Sequence, residues 1–152
     1  MKALQLTIVI AFLVLVGSST VTCQSAIIDS IAQSHIDDNV PDKKDFDNFL
    51  KRDLAEYFKV STDKDTVIEY ELLRKAPTQS GTSFPKFYAW VRVNVKGNLI
   101  EEGAIRLAAI DKKIFQITHY LKRADIESNT DEIYTVFPEP VGDKIKQKLK
   151  IP

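Results

Sequence analysis

Residues 86–110 read KFYAWVRVNVKGNLIEEGAIRLAAI, and this stretch decides the fold. Phe87, Ala89, Val91, Val93 and Val95 recur at every second position, with Tyr88, Trp90, Arg92 and Asn94 between them. A period of two, rich in β-branched and aromatic residues, predicts a strand over 86–96 with its uniformly apolar side on a core. Gly97-Asn98 marks a hairpin into a second strand over 100–110, with Ile105, Leu107 and Ala109 inward and Arg106 outward. Working outward, Asp111-Lys112-Lys113 turns the chain into a strand over 114–122. There Phe115, Ile117 and Leu121 face inward, and Gln116, Thr118 and Tyr120 outward. Upstream, a strand over 66–74 carries Ile68, Tyr70 and Leu72 on one side, Glu69 and Glu71 on the other.

Before the strands the period is helical. Phe46, Phe49, Leu50, Leu54, Tyr57 and Phe58 follow one another at helical spacings, which predicts an amphipathic helix with Asp42 as N-cap. After them, residues 124–128 and 130–137 precede a last helix over 141–149, set off by Pro138 and Pro140. The expectation is an α+β domain: an N-terminal helix packed on a four-stranded antiparallel meander sheet, with short C-terminal helices. This order of elements, over 42–122, resembles the cystatin-like and NTF2-like α+β layouts. Cystatin-type inhibitors carry a Gln-x-Val-x-Gly hairpin. Gln79-Ser80-Gly81 is too short a match, so protease inhibition is not implied.

The faces constrain register, because a slip of one residue exchanges them. A three-residue loop at 97–99 places Trp90 opposite Arg106, and one at 111–113 places Arg106 opposite Thr118. The long first loop sets Glu71 beside Trp90 and Glu69 beside Arg92. The outer face then presents Glu69, Glu71, Tyr88, Trp90, Arg92, Arg106 and Tyr120, an aromatic and arginine surface suited to a protein or a small anionic ligand. Two other readings stand beside it. The face is solvated and laced with cross-strand Glu–Arg pairs, or the C-terminal segment folds over it to bury Ile133, Phe137 and Ile145. The polar loop 77–85, flanked by prolines, is a further candidate for recognition.

The first two dozen residues have the grammar of a secretory signal peptide: Lys2, an apolar run over 6–16, then small polar residues before Gln24. We therefore expect residues 1–23 to be a signal peptide, 24–41 a linker or short helix, and 42–152 one domain, exported to a periplasm or secreted. Within 24–41, residues 35–41 read as linker. Cys23 is the only cysteine, so the remaining domain holds no internal disulfide. If Cys23 is lipidated instead, the domain is tethered to a membrane. Without Lys2 the chain has 20 basic and 21 acidic residues, a balance that gives no pull toward nucleic acid.

Catalytic signatures are sparse. The chain lacks Gly-x-Ser-x-Gly, a phosphate loop and a dinucleotide fingerprint, and no cofactor is implied. His35 and His119 are far apart, which argues against zinc, and His119 reads as a core or edge residue beside Phe115 and Ile117. Glu69 and Glu71 share a face, but their arginine neighbours suit salt bridging better than proton transfer. The expectation is an exported, non-enzymatic binding module. The alternatives are a small NTF2-like enzyme with a pocket between sheet and helix, or a structural envelope protein.

Overall fold

The computed structural model describes residues 19–151, with side chains from Ser25 onward. The segment read as a signal peptide lies for the most part outside them, as does the side chain of Cys23. Helix α1 (Ser19–Asn39) leads into α2 (Lys43–Phe58) and strands β1 (Thr66–Leu72), β2 (Lys86–Val95), β3 (Asn98–Ile110) and β4 (Ile114–Lys122). Three short helices follow, α3 (Arg123–Ser128), α4 (Glu132–Val136) and α5 (Glu139–Leu149). The strands form one antiparallel sheet in the order β1-β2-β3-β4. Among the described residues no helix is long and apolar enough to cross a membrane.

The helix continues to Asn39 where a linker was expected. Val40 N–H donates to Ile36 O at 2.8 Å, and the Asn39 amide donates to His35 O at 2.8 Å. Asn39 also fastens the helix end to the β3–β4 turn, accepting from Asp111 N–H on its side-chain oxygen and from Lys112 N–H on its carbonyl.

Two cores sandwich the sheet. On the inner face Leu50 and Leu54 of α2 pack on Phe87, Val91, Ile105, Leu107 and Phe115. Phe46 sets its ring edge-on to Phe87 and Phe115, at 5.2 and 4.8 Å. Buried Asp53 locks α2 in place, accepting from Phe115 N–H at 2.6 Å. On the outer face Tyr88, Trp90, Ala104 and Leu121 are covered by Ile126, Ile133, Phe137, Val141 and Ile145 from the C-terminal helices. The covering reading of that face is the one realised: three apolar residues of the tail needed burial, and the side of the sheet away from α2 offered Tyr88, Trp90, Ala104 and Leu121 to pack against.

Register departs from expectation at two bulges. Lys96 and Gly97, both at positive φ, make a two-residue turn closed by Val95 and Asn98. Ile100 is then the extra residue, because Asn94 pairs with Leu99 and Val93 with Glu101. A two-residue turn plus one bulged residue preserves the faces that a three-residue loop would give, but slides β3 by two. Trp90 therefore lies opposite Ala104, and Tyr88 opposite Arg106. The β3–β4 turn does span Asp111 to Lys113, but Thr118 bulges from β4, so Arg106 faces His119. The Thr118 hydroxyl secures the bulge, donating to Arg106 O at 3.0 Å and accepting from Arg106 Nε at 3.1 Å.

Beyond that bulge the faces of β4 exchange. Tyr120, expected outward, packs on the inner side against Phe58, ring centroids 5.1 Å apart. Leu121, expected inward, joins Trp90 in the outer core, and His119 lies outward beside Arg106.

Candidate functional site

The seven residues expected on one surface are divided by the structure into three places. Glu69, Glu71, Trp90 and Arg92 surround a depression of about 210 Å³ beside Lys148 of α5. Its charges are mutually satisfied: Arg92 lies 3.7 Å from Glu69 and 3.6 Å from Glu102, and Lys148 pairs with Glu71. Trp90 itself is only 2% exposed. Tyr88 and Arg106 meet at a separate cleft. Tyr120, on the inner face, belongs to neither.

The cleft at Arg106 has a volume of about 300 Å³. Tyr88 and Arg106 form its floor. Thr78, Gln79, Ser80 and Lys86 wall one side, and the segment from Tyr134 to Pro138 walls the other. The polar loop is built to hold its shape. Thr78 and Lys86 exchange backbone hydrogen bonds at 2.9 Å, and the Gln79 amide nitrogen donates to Gly81 O and Ser83 O. The Gln79 amide oxygen is left buried beside the cleft without a hydrogen-bond partner. The Tyr88 hydroxyl reaches out of the core to Thr78 Oγ1 at 2.7 Å, so a buried ring places a polar tip at the rim.

Arg106 is half-buried and held on every side. Nε donates to Thr118 Oγ1, Nη1 to Val136 O at 3.0 Å, and Nη2 to His119 Nδ1 at 2.6 Å. Burial, with the Arg106 charge acting in the same direction, holds the His119 pKa below its ordinary value, so the neutral imidazole accepts from the guanidinium. Every one of these partners is uncharged. No carboxylate among the described residues forms an ion pair with Arg106 or with Lys86, and none lines the cleft. Nη2 also lies 3.3 Å from His119 Nε2, so of the five guanidinium N–H groups the second on Nη1 remains over for an anion. His119 was not legible as a partner of Arg106, because only the Thr118 bulge turns it to that face.

A second polar network braces the outer core. Glu102 accepts from Trp90 Nε1 and Arg123 Nη1, each at 3.1 Å. Burial works to raise the Glu102 pKa, but the hydrogen bonds from Arg123 and Trp90 and the nearby arginine charges outweigh it and hold the carboxyl below its ordinary 4.5. A carboxylate depressed in the folded state stabilises the fold above its unfolded pKa and loses that contribution as pH falls through the folded value. Urea unfolding between neutrality and pH 3 should therefore show a shallower loss of stability below about 4.5 for Glu102→Gln than for the parent. Parallel curves would remove Glu102 from the acid response.

Fold and cleft together define the class: a three-layered α+β domain with a cationic cleft at the edge of its outer layer. Comparison with known proteins finds no matching family model, no matching curated protein and no matching solved structure.

Proposed function

We propose that this is an exported binding module for a small anion, a carboxylate or phosphate, seated in the Arg106 cleft. One observation carries the reading: Arg106 and Lys86 line the same cleft and no acidic side chain does. The Tyr88 and Thr78 hydroxyls are bonded to each other, which leaves one of their two O–H groups as a neutral donor at the rim. A half-buried guanidinium whose partners are all neutral keeps its charge available to a ligand. The proposed surface is narrower than the whole sheet face, since Trp90 serves the core. Export is proposed from residues 1–23, with tethering through a lipidated Cys23 as the alternative form. The likeness to cystatin-like and NTF2-like layouts is proposed at the level of element order alone.

The enzymatic alternative would centre on the groove between sheet and α2, where Tyr70 is the half-buried ionisable group in the lining. Burial, reinforced by Asp47, pushes its pKa up to about 12, far from what proton transfer at neutral pH needs. That favours binding over catalysis.

Titration of the isotope-labelled protein with acetate and with inorganic phosphate tests the proposal. We expect saturable shifts of the Thr78, Lys86 and Val136 amides with at least one of them. Lys86→Glu should weaken that binding roughly tenfold, a charge reversal acting at a partly desolvated site. Linear, unsaturated shifts, or affinity unchanged in the variant, would remove the cleft as an anion site.

A further inference from the structure

We propose a second site, independent of the Arg106 cleft: the groove between α2 and the β1 side of the sheet binds an amphipathic carboxylate with an aliphatic body. The groove follows from the dimensions of the fold. A helix about 10 Å across covers roughly two strands spaced about 4.8 Å apart, so one helix cannot close a four-stranded face. Here α2 is pinned over β4. Asp53 binds Phe115 N–H at 2.6 Å, Arg52 Nη2 donates to Lys113 O at 2.5 Å, and Phe58 packs on Tyr120. The consequence appears in burial. Ile105, Leu107 and Ala109 of β3 are fully buried, whereas Ile68, Tyr70 and Leu72 of β1 are only half-buried on the same face.

The uncovered strip is a groove of about 490 Å³, within the size range of small-ligand pockets. Val40, Phe46, Leu72, Pro77 and Phe87 give it an apolar lining. Lys43 and Lys75 stand at its rim, both exposed, and neither forms an ion pair among the described residues. The one acid there, Asp47, is engaged by Lys51 at 3.0 Å. An apolar floor with two uncompensated ammonium groups at the mouth is complementary to a molecule with an apolar body and an anionic head. The body removes half-exposed Leu72 and Phe46 from water, and the head stays at the rim beside the lysines.

Decanoate, kept below its micellar concentration, is the probe, with decanol as the uncharged control. The expected result is saturable binding of one decanoate, with amide shifts at Val40, Leu72 and Lys75, and decanol at least tenfold weaker. The double variant Lys43→Glu/Lys75→Glu should weaken decanoate tenfold or more and leave decanol unchanged. Lys43 opens α2, where an acidic residue suits the helix, so the variant should fold. Absence of saturable decanoate binding, or equal affinity in the double variant, overturns the proposal. So do shifts confined to Lys86 and Val136, which would assign the anion to the other cleft. Sedimentation of a dimer whose groove resonances are already protected would assign the groove to a second copy of the chain and overturn it too.

Discussion

Replacing Gly103 with alanine should cost this domain about 3 kcal/mol, the upper part of the range for overpacking a filled site. A Cβ built on Gly103 would lie 2.2 Å from Leu121 O, 2.8 Å from Tyr120 Cε2 and 3.0 Å from Lys122 Cα. Two of those three atoms are backbone, so no side-chain rotation relieves the contact. Gly103 does not adopt positive φ, and the requirement for glycine is one of space alone. It pairs with Val91 on one side and Lys122 on the other, so a wedge here separates β4 from β3 at the point where α3 begins. Thermal unfolding should show a midpoint lower by about 10 °C, given the usual conversion for a domain of this size. Gly142→Ala is the control. Its new methyl would meet the Tyr134 ring at 2.5 Å and Ile133 Cγ2 at 3.1 Å, but both are side chains rather than backbone, and Tyr134, 43% exposed, can turn away. We expect it to lose about 1 kcal/mol or less. If Gly103→Ala unfolds within 0.5 kcal/mol of the parent, the close approach of β3 to β4 is wrong.

That strand junction also shows where sequence reading stopped. The helix over 42–58, the four strands and the turn at Asp111 were legible, because each carried one clean period bounded by turn residues. Bulges were not. In Phe115-Gln-Ile-Thr-His-Tyr-Leu121, alternation alone puts Leu121 with Phe115. The structure inserts Thr118 instead, and both outcomes bury apolar surface, since Tyr120 finds Phe58 inside and Leu121 joins Ile126 outside. A strand covered on both faces loses the hydrophobic penalty that normally fixes its parity. The same ambiguity acted between β2 and β3. The cost of setting Arg106 against the apolar side required an odd number of extra residues. A three-residue loop and a two-residue turn with one bulge both supply it. Hence Arg106 was placed on the right face but two residues out of register. Its cleft was legible only in parts. Arg106, Tyr88 and the polar loop were each singled out, while the wall formed by Tyr134 to Pro138 depends on how the tail folds back.

The fold-back of the tail makes Trp90→Ala the sharper test of the outer layer, with an expected loss of about 4 kcal/mol, the usual scale for deleting a buried aromatic side chain. Trp90 is 2% exposed at the centre of the outer core, its indole N–H satisfied by Glu102 and its ring lying 5.9 Å from the Lys148 ammonium. Truncation opens a cavity, removes a donor from Glu102 and takes away the ring that α5 rests on. The α5 helix would keep its polar tie, Lys144 Nζ to Leu73 O at 2.7 Å, but such a contact is worth only about 1 kcal/mol net. On a free binding surface the same substitution would change stability by less than about 0.5 kcal/mol, because exposed side chains give up little on truncation. Fluorescence gives an independent reading, since Trp90 is the only tryptophan in the chain. In the folded protein iodide should quench it far less than in urea, and the difference should shrink in Ile145→Ala, which thins the cover directly. Quenching as efficient in the folded protein as in the unfolded chain would mean that the C-terminal helices do not close over the sheet. The Arg106 cleft would then lose the wall formed by Tyr134 to Pro138, and the anion proposal would fall with it.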